Sequence, residues 1–272
     1  MNRAPATAKL NLALVVGPRR DDGRHEVATV LQRIDLADRI ALEPAEALSV
    51  RGFAEDTLVR SALEELAAAA GAEPRWVARI WKQIPVAAGL GGGSSDAATA
   101  LRLANHTLPD PLPAEALHEL AATLGADVPF FLTAGPQLGV GTGTDLKPLD
   151  LPQDYWIVVV LPKGPNKEST AFVYAAFDER GGERGYAERR AELDDTLAAV
   201  RRASDLAALP PNDLASSPLT DELRELGAFR ADVSGAGPAV YGLFLHRKPA
   251  AAAERELRRA GRTWLTVPTW YG

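Results

Sequence analysis

The 272-residue sequence contains no cysteine. This absence excludes disulfides, thiolate metal sites and cysteine nucleophiles, and it fits a reducing compartment. Long apolar runs are also absent, since no stretch approaches the roughly 18 apolar residues that a membrane-spanning helix needs. Residues 10–16 form a short apolar stretch that leads into Gly17-Pro18-Arg19-Arg20 without the small-residue cleavage site of a secretory signal. We therefore expect a cytoplasmic protein.

Basic residues are fewer than acidic ones. The 30 Lys and Arg face 36 Asp and Glu, which gives a formal net charge of −6. This is the wrong sign for a protein that binds a phosphate backbone. The four His are scattered along the chain and have no metal-ligand spacing, so no metal site is predicted. The expected partners are small molecules, not nucleic acid or a membrane, and the chain is expected to be a monomer or a homodimer.

The composition, 46% apolar and 24% charged residues, is that of a soluble globular protein. Strand-like and helix-like stretches alternate between Gly and Pro clusters, which predicts a mixed α/β fold. A helix is predicted over residues 57–70 and a strand over 76–84. Further along, we expect a helix from Pro113 to Gly125, a short buried strand over 156–161, a charged helix over 184–202 and an apolar strand over 240–245. The domain boundary is placed just before the strand that starts at residue 156.

Residues 8–16 and 25–34 are predicted to form two strands of a hairpin, because Asp22-Gly23 between them is turn chemistry. The alternation of the first strand places Leu10, Leu12 and Leu14 on one face, with Lys9 and Asn11 on the other. Lys9 is by default a solvated edge residue. The polar pair on one face also fits the wall of a cleft.

The most informative segment reads Pro85-Val86-Ala87-Ala88-Gly89-Leu90-Gly91-Gly92-Gly93-Ser94-Ser95-Asp96 and precedes a helix-forming run over residues 97–104. Glycines let backbone amides approach an anion, and the dipole of the following helix adds positive potential. The alternative is a flexible loop with an ordinary Ser/Asp cap. A Walker A loop is excluded because the pair Gly-Lys never occurs, and the spacing fits a dinucleotide-binding fingerprint poorly. The segment therefore predicts a phosphate-binding loop.

The sequence resembles the GHMP kinases, the small-metabolite kinases that include the galactose, homoserine, mevalonate and phosphomevalonate enzymes. Six segments carry the resemblance: the glycine segment, Pro5-Ala6-Thr7-Ala8-Lys9-Leu10-Asn11-Leu12, Asp22-Gly23-Arg24-His25-Glu26, Gly125-Ala126-Asp127-Val128-Pro129-Phe130, Asn212-Asp213-Leu214 and Ser234-Gly235-Ala236-Gly237-Pro238. The resemblance implies a two-domain α+β fold. Residues 1–152 would form an ATP-binding domain similar to ribosomal protein S5, and residues 153–272 a ferredoxin-like domain, with the active site between them.

The form of the glycine segment, with three consecutive glycines and Ser-Ser-Asp, is similar to the branch of this family that acts on a cytidine-diphosphate sugar alcohol. It implies ATP-dependent phosphorylation of the 2-hydroxyl of 4-(cytidine 5'-diphospho)-2-C-methyl-D-erythritol, in the non-mevalonate route to isoprenoid precursors. Two alternatives remain. One is a relative that acts on another alcohol, such as homoserine or mevalonate, and the other is a non-catalytic nucleotide-binding module.

The resemblance also implies roles for individual residues. Asp127 would be the catalytic base and Lys9 its cationic neighbour, although Asp127 is equally well placed to cap a helix that begins near Pro129. ATP would be bound by Pro85, Ala87, Ala88, Gly89, Leu90, Gly91, Gly92, Gly93, Ser94 and Ser95. The substrate would be bound by Asn11, Arg24, His25 and Tyr174.

Three of the substrate-binding positions carry alternatives. Arg24 stands where the family usually has a Tyr that stacks on the pyrimidine, and a guanidinium can also stack. His25 can be a surface or capping residue, and Tyr174 can be a core aromatic, with Phe172 as the stacking ring instead. In the Ser234–Pro238 motif, Ala236 replaces the usual Ser; that motif is expected near the phosphates, whereas Asn212 and Asp213 read first as turn formers. Mg²⁺ is expected to accompany ATP, held largely by phosphates and water, with Ser95 or Asp96 as candidate contacts.

Overall fold

A computed structural model of the chain describes residues 2–54, 56, 58–164 and 169–269. The first part of the chain forms a six-stranded sheet with three α-helices and a 3₁₀ helix. The strands are β1 (Asn2–Arg19), β2 (His25–Pro44), β3 (Ser49–Arg51), β4 (Trp76–Trp81), β5 (Gln137–Gly141) and β6 (Asp145–Pro148). The helices are α1 (Leu58–Ala69), α2 (Gly92–Asn105) and α3 (Ala114–Leu124), and the 3₁₀ helix is Pro129–Leu132.

The remainder forms a four-stranded antiparallel sheet with four α-helices and one 3₁₀ helix. The strands are β7 (Trp156–Pro162), β8 (Arg230–Val233), β9 (Val240–Phe244) and β10 (Gly261–Thr266), in the order β10-β7-β9-β8. The helices are α4 (Thr170–Glu179), α5 (Tyr186–Ala199), α6 (Leu219–Glu225) and α7 (Arg247–Leu257), with the 3₁₀ helix Ala203–Ala208. No helix within the described ranges combines the length and the apolar composition needed to cross a membrane.

The hairpin of β1 and β2 is the spine of the first sheet. The strand order is β3-β4-β2-β5-β6, and β1 pairs with β2 along nearly its whole length. Both strands are much longer than the sequence pattern predicts, because both faces of the hairpin are covered. One face packs against α1 and α2, whereas the other packs against side chains of the second sheet and of α5. When both faces of a strand are buried, its sequence lacks the regular alternation of polar and apolar residues from which strand ends are predicted.

A β-bulge between Asn11 and Ala13 corrects the predicted faces of β1. Leu10 and Leu12 lie in the core beneath the second sheet, as their alternation predicts. Leu14 instead shares a pocket with Lys9 and Asn11, because the extra residue of a bulge reverses the alternation beyond it.

Two further boundaries differ from the prediction. Helix α2 begins at Gly92 rather than near residue 97, so the last two glycines of the segment form its first turn. Strand β4 ends at Trp81 rather than at residue 84, because the amides of Gln83 and Ile84 turn away to donate to the carboxylate of Asp38. The change from the first sheet to the second falls between β6 and β7. The exact division at residue 152 stays a prediction.

Candidate active site

Two adjoining pockets lie where the glycine segment meets the second sheet. The first, the glycine pocket, has a volume of about 320 Å³ and is lined by residues 85–94 with Phe53, Asp56, Leu58, Lys82, Asp96 and Asp127. The second, the cleft pocket, has a volume of about 300 Å³ and is lined by Lys9, Asn11, Leu14, Val27, Thr29, Gly89, Ser94, Ala126, Asp127, Thr142, Gly143, Thr170, Tyr174, Leu214, Gly235 and Ala236. Gly89, Ser94 and Asp127 line both pockets. A group held in one pocket can therefore meet a group held in the other at these three residues.

Gly89 is required at the point where the segment touches the second sheet. Its φ of +81° lies in the left-handed region, and a methyl group there would lie 2.2 Å from the Ser234 carbonyl oxygen. The Ser234 hydroxyl in turn donates to the Gly89 carbonyl at 2.9 Å. Only a residue without a side chain permits this backbone approach.

Two backbone hydrogen bonds fix the segment on either side of Gly89. The Lys9 amide donates to the Leu90 carbonyl at 2.9 Å, and the Ala239 amide donates to the Ala88 carbonyl at 3.0 Å. The segment is thus fastened to β1 and to the second sheet at consecutive residues. This geometry does not correspond to the alternative of a flexible loop.

The start of α2 presents free amides to the glycine pocket. Gly91 caps the helix in a left-handed conformation, and the first helical hydrogen bond runs from the Ser95 amide to the Gly91 carbonyl. The amides of Gly92, Gly93 and Ser94 precede that bond and have no helical acceptor. Free amides at the positive end of a helix dipole form a binding site for phosphate.

Nine of the ten residues predicted to bind ATP line the glycine pocket, and Ser95 does not. The Ser95 side chain is buried and lines a different cavity, on the far side of α2 from Ser94. Successive residues of a helix point about 100° apart, and here Ser94 faces the glycine pocket while Ser95 faces the other cavity. Its role in ATP binding stays a prediction that this placement does not favour.

Lys9 and Asp127 lie opposite each other at the junction of the two pockets. The Lys9 ammonium is buried, 2.6 Å from Asn11 Oδ1 and 3.4 Å from Asp127 Oδ2. The Asn11 amide group donates to the Thr29 hydroxyl at 2.8 Å, which fixes the orientation of its oxygen toward Lys9. The Asp127 side chain is 39% exposed. The pair thus places a fixed cation beside a carboxylate that a ligand can reach.

Asp127 does not cap the helix that follows it, which was its alternative role. The capping residue of the 3₁₀ helix Pro129–Leu132 is Val128, and that helix has no side-chain cap. The Asp127 carboxylate is directed into the pockets instead.

Lys82, Asp38 and Asp96 form an ionic cluster beside the glycine pocket, which Lys82 and Asp96 line, and the sequence analysis missed Lys82 and Asp38. The Lys82 ammonium donates to both carboxylates, at 2.8 Å to Asp96 Oδ2. Burial, and then the charge of Asp38, raise the pKa of Asp96 to about 7. Asp38 is one of several charged residues of β2, and Lys82 follows directly after β4, so no sequence signal reveals that they meet. Asp96 is engaged in this cluster, which does not favour a contact with Mg²⁺.

Of the residues predicted to bind the substrate base, His25 and Tyr174 are in contact, whereas Arg24 lies elsewhere. The rings of His25 and Tyr174 stack directly on each other, with centroids 4.9 Å apart and planes at 28°. Tyr174 lines the cleft pocket, whereas His25 is buried behind it and its Nε2 lies 2.7 Å from Asp178 Oδ1. Burial, and then the charge of Asp127, raise the pKa of Tyr174 to about 12, so its hydroxyl stays protonated.

Arg24 and Phe172 are not part of either pocket. Arg24 is exposed in the turn between β1 and β2, where its amide donates to Asp22. Phe172 is 54% exposed on α4. Between the two aromatic candidates, the structure places Tyr174 and not Phe172 at the cleft.

Asn212 holds the Ser234–Pro238 motif in place. Its buried side-chain amide donates to the carbonyls of Val233 and Gly235, at 2.9 and 2.6 Å, and its oxygen accepts from the Leu214 amide at 2.8 Å. This is a structural role, in line with the turn-forming interpretation. The motif itself lies against Gly89 and lines the cleft pocket through Gly235 and Ala236, as expected.

Comparison with protein families identifies the class. Residues 57–135 match the GHMP kinases N terminal domain, and residues 193–263 match the GHMP kinases C terminal domain. The chain belongs to the GHMP kinase family, whose members use ATP as the phosphoryl donor, and the prediction of this family and of its two-domain fold of mixed α and β is confirmed.

Within the family, the matched curated relatives are 4-diphosphocytidyl-2-C-methyl-D-erythritol kinases. That of Geobacter metallireducens is 37% identical over 98% of this chain and 95% of its own length. That of Geobacter sulfurreducens is 38% identical over 96% of each chain. The crystal structure of a 4-(cytidine 5'-diphospho)-2C-methyl-D-erythritol kinase covers both chains fully, with a TM-score of 0.80 and 33% identity. A mevalonate kinase matches with a TM-score of 0.76 at 14% identity, which is a likeness of fold alone.

These matches confirm the prediction of a phosphotransferase. They do not support the alternatives, a homoserine or mevalonate kinase and a non-catalytic nucleotide-binding module.

Proposed function

We propose that this protein transfers the γ-phosphoryl group of ATP to the 2-hydroxyl of 4-(cytidine 5'-diphospho)-2-C-methyl-D-erythritol, a step of the non-mevalonate route to isoprenoid precursors. The names of its relatives support the substrate. The observation that carries the proposal is the position of Asp127 and Lys9 at the junction of two pockets. A kinase needs a base and a cation at the point where donor and acceptor meet. The substrates are free metabolites, and we place the reaction in the cytoplasm, which cell fractionation tests.

The glycine pocket suits the nucleotide. Its free amides at Gly92, Gly93 and Ser94 provide hydrogen bonds for phosphate oxygens. The cleft pocket suits the acceptor alcohol, because its walls hold Asn11, Thr29 and the Lys9 ammonium. In the reaction, the substrate hydroxyl gives its proton to the Asp127 carboxylate while its oxygen attacks the γ-phosphorus. The bond from that phosphorus to the β–γ bridging oxygen breaks, and ADP leaves.

Lys9 supports this step through its charge and its fixed position. Asn11 and Asp127 hold the ammonium from two sides. An ammonium there offsets the repulsion between the carboxylate and the negative phosphates, and it can donate to the incoming oxygen. Because Lys9 is buried, solvent screens this interaction less than it would at the surface.

We propose that the cytosine stacks on Tyr174 from the pocket side rather than between Tyr174 and His25. Aromatic rings stack at centroid distances of about 4.5 Å or more, so a base between these two rings would need roughly twice their present separation of 4.9 Å. His25 would then hold Tyr174 in place, with Asp178 as its own anchor. Arg24 has no part in this proposal.

Mg²⁺ is expected to arrive with the nucleotide. The oxygen donors that line both pockets, the Ser94 hydroxyl and the Asp127 carboxylate, fit a hard cation. The ion would neutralise charge on the β- and γ-phosphates. The protein contributes few donors, which is usual for Mg²⁺ bound mainly by phosphates and water.

The proposal is tested with Asp127→Asn, which keeps the shape of the side chain and removes the base. Loss of a general base costs roughly 10²- to 10⁴-fold in kcat, while the affinity for ATP should change little because the amides are untouched. Asp221→Asn is the matched control, since that carboxylate is 77% exposed on α6. Phosphorylation is measured with the cytidylyl substrate and with homoserine and mevalonate. Turnover of homoserine or mevalonate alone, or full activity of Asp127→Asn, would contradict the proposal.

A further inference from the structure

A third cavity lies behind the first turn of α2, and none of its lining residues lines the glycine pocket or the cleft pocket. This cavity, the arginine pocket, has a volume of about 200 Å³. Its walls are Pro5, Thr7, Arg33, Ser95, Thr99, Arg102 and Phe131. Two of these side chains are cationic, three carry hydroxyl groups and none is acidic.

The two guanidinium groups give the arginine pocket a positive charge. Arg33 is buried, and its Nη2 donates to the carbonyls of Phe130, at 3.1 Å, and Thr133, which fixes the side chain in place. Burial, and then the charge of Arg102, lower the pKa of Arg33 to about 10, so the Arg33 guanidinium stays charged at neutral pH. Within the described parts of the chain, Arg102 forms no ion pair. Two like charges therefore face one small cavity whose walls carry no carboxylate.

The hydroxyl groups of Thr7, Ser95 and Thr99 lie in the same cavity. Each of these residues is at most 5% exposed. Among the residues that the structure describes, no hydrogen bond is formed by any of the three hydroxyls. Hydroxyl groups that line a polar cavity and have no protein partner can donate to a ligand held there. Three in one polar cavity indicate a ligand that accepts several hydrogen bonds.

We propose that the arginine pocket is a second anion site that binds a phosphate group, either inorganic phosphate or the phosphate of a small phosphomonoester. A phosphate dianion offers four acceptor oxygens and matches the planar donors of arginine. The pocket volume holds one such group and excludes a nucleotide. Pro5 is exposed at its edge, which leaves room for the organic part of an ester to extend outward.

Binding to this site must be separated from binding to the amides of α2. The experiment therefore keeps the glycine pocket filled with a saturating non-hydrolysable ATP analogue and titrates the protein with inorganic phosphate by calorimetry. A parallel titration uses glycerol 3-phosphate. Binding of phosphate alone identifies the free ion as the ligand, and equal or tighter binding of the ester identifies phosphomonoesters. Either result supports an anion site.

Two variants test the residues. Arg102→Gln should weaken phosphate binding at least tenfold, and Thr99→Val, which keeps the shape of the side chain, about threefold to tenfold. Arg60→Gln on α1 is the matched control, because that guanidinium is exposed and distant in sequence from the cavity walls. Thr99→Val guards against misfolding of the arginine variant. Phosphate binding that disappears when the ATP analogue is present, or that both variants retain in full, would overturn the proposal.

Discussion

Replacing Gly93 with alanine should make the protein more stable and a weaker binder of nucleotide at once. Gly93 is the second residue of α2, and beyond its chain neighbours and the helix's own backbone no described atom lies within 4 Å of the methyl group that alanine would add. Glycine in a helix costs about 0.5 to 1 kcal/mol relative to alanine. The free energy of unfolding should rise by up to that amount, which corresponds to about 1 to 4 °C in Tm. The same methyl would occupy the glycine pocket beside the free amides, so nucleotide affinity should fall at least tenfold.

Gly89→Ala is the contrasting variant. Its φ of +81° costs an alanine about 1 to 2 kcal/mol, and the added methyl would meet the Ser234 carbonyl at 2.2 Å. Because hydrogen bonds hold the backbone at both Gly89 and Ser234, neither can move aside alone, and the two sheets must separate locally. We expect this variant to lose stability and nucleotide binding together, by about 2 kcal/mol or more in unfolding free energy.

Both variants are compared with the unmodified protein by thermal denaturation and by calorimetric titration with a non-hydrolysable ATP analogue. A Gly93→Ala protein with a raised Tm and unchanged affinity would show that the phosphates lie elsewhere than at the start of α2. A Gly93→Ala protein that is less stable than the unmodified one would refute the helical start at Gly92.

Three more predictions follow from buried polar groups. Lys9→Met should lower kcat at least tenfold, because the ammonium beside Asp127 is lost. It should also lower the unfolding free energy by about 1 to 3 kcal/mol, because Asn11 Oδ1 loses its donor at 2.6 Å. Steady-state kinetics and urea denaturation measure the two effects, and unchanged kinetics would remove Lys9 from the mechanism. Asp96 keeps its proton in the folded state up to about pH 7, whereas an unfolded carboxyl loses it near pH 4. The folded state therefore binds the extra proton between these values, and stability should fall as pH rises from about 4 to 7; Asp96→Asn should flatten this fall in urea titrations at several pH values, and an equal fall in both proteins would contradict the assignment. Asn212→Ala should cost about 2 to 3 kcal/mol in unfolding free energy, because three buried backbone groups lose their partner. Asn212→Asp keeps the acceptor for Leu214 but sets a carboxylate oxygen against the carbonyls of Val233 and Gly235, so it should cost more than Asn212→Ala in the same denaturation assay.

The glycine segment could be predicted from sequence to be a turn that leads into a helix, because its chemistry is local. Four glycines in five residues, followed by a helix, indicate a turn with exposed backbone amides, because glycine permits conformations that other residues rarely adopt. The hairpin and the helices over residues 58–69 and 114–124 were predictable for the same reason, since turn residues and apolar periodicity lie within a short window.

The sequence could not reveal features that depend on distant partners. Asp38 and Lys82 are 44 residues apart and meet only because β2 and β4 pair in one register. The bulge after Asn11 depends on how β1 matches β2, and it decides that Leu14 faces the cleft. The separation of Ser94 from Ser95 needed the exact start of α2. A motif of two serines does not indicate which one lines the glycine pocket.

The junction between the two sheets positions Lys9 relative to the glycine segment, and it forms only when both parts of the chain are folded. The Ser234 hydroxyl donates to the Gly89 carbonyl and accepts from the Asn11 amide, at 2.9 and 3.3 Å. The Ser234 side chain, directly after β8, thus bridges β1, which carries Lys9, and the glycine segment that leads into α2, in addition to the direct bond between the Lys9 amide and the Leu90 carbonyl. Catalysis of phosphoryl transfer depends mainly on positioning. Loss of this hydroxyl in Ser234→Ala should therefore reduce kcat more than it reduces nucleotide affinity, because the amides of α2 stay in place while their alignment with Lys9 loosens.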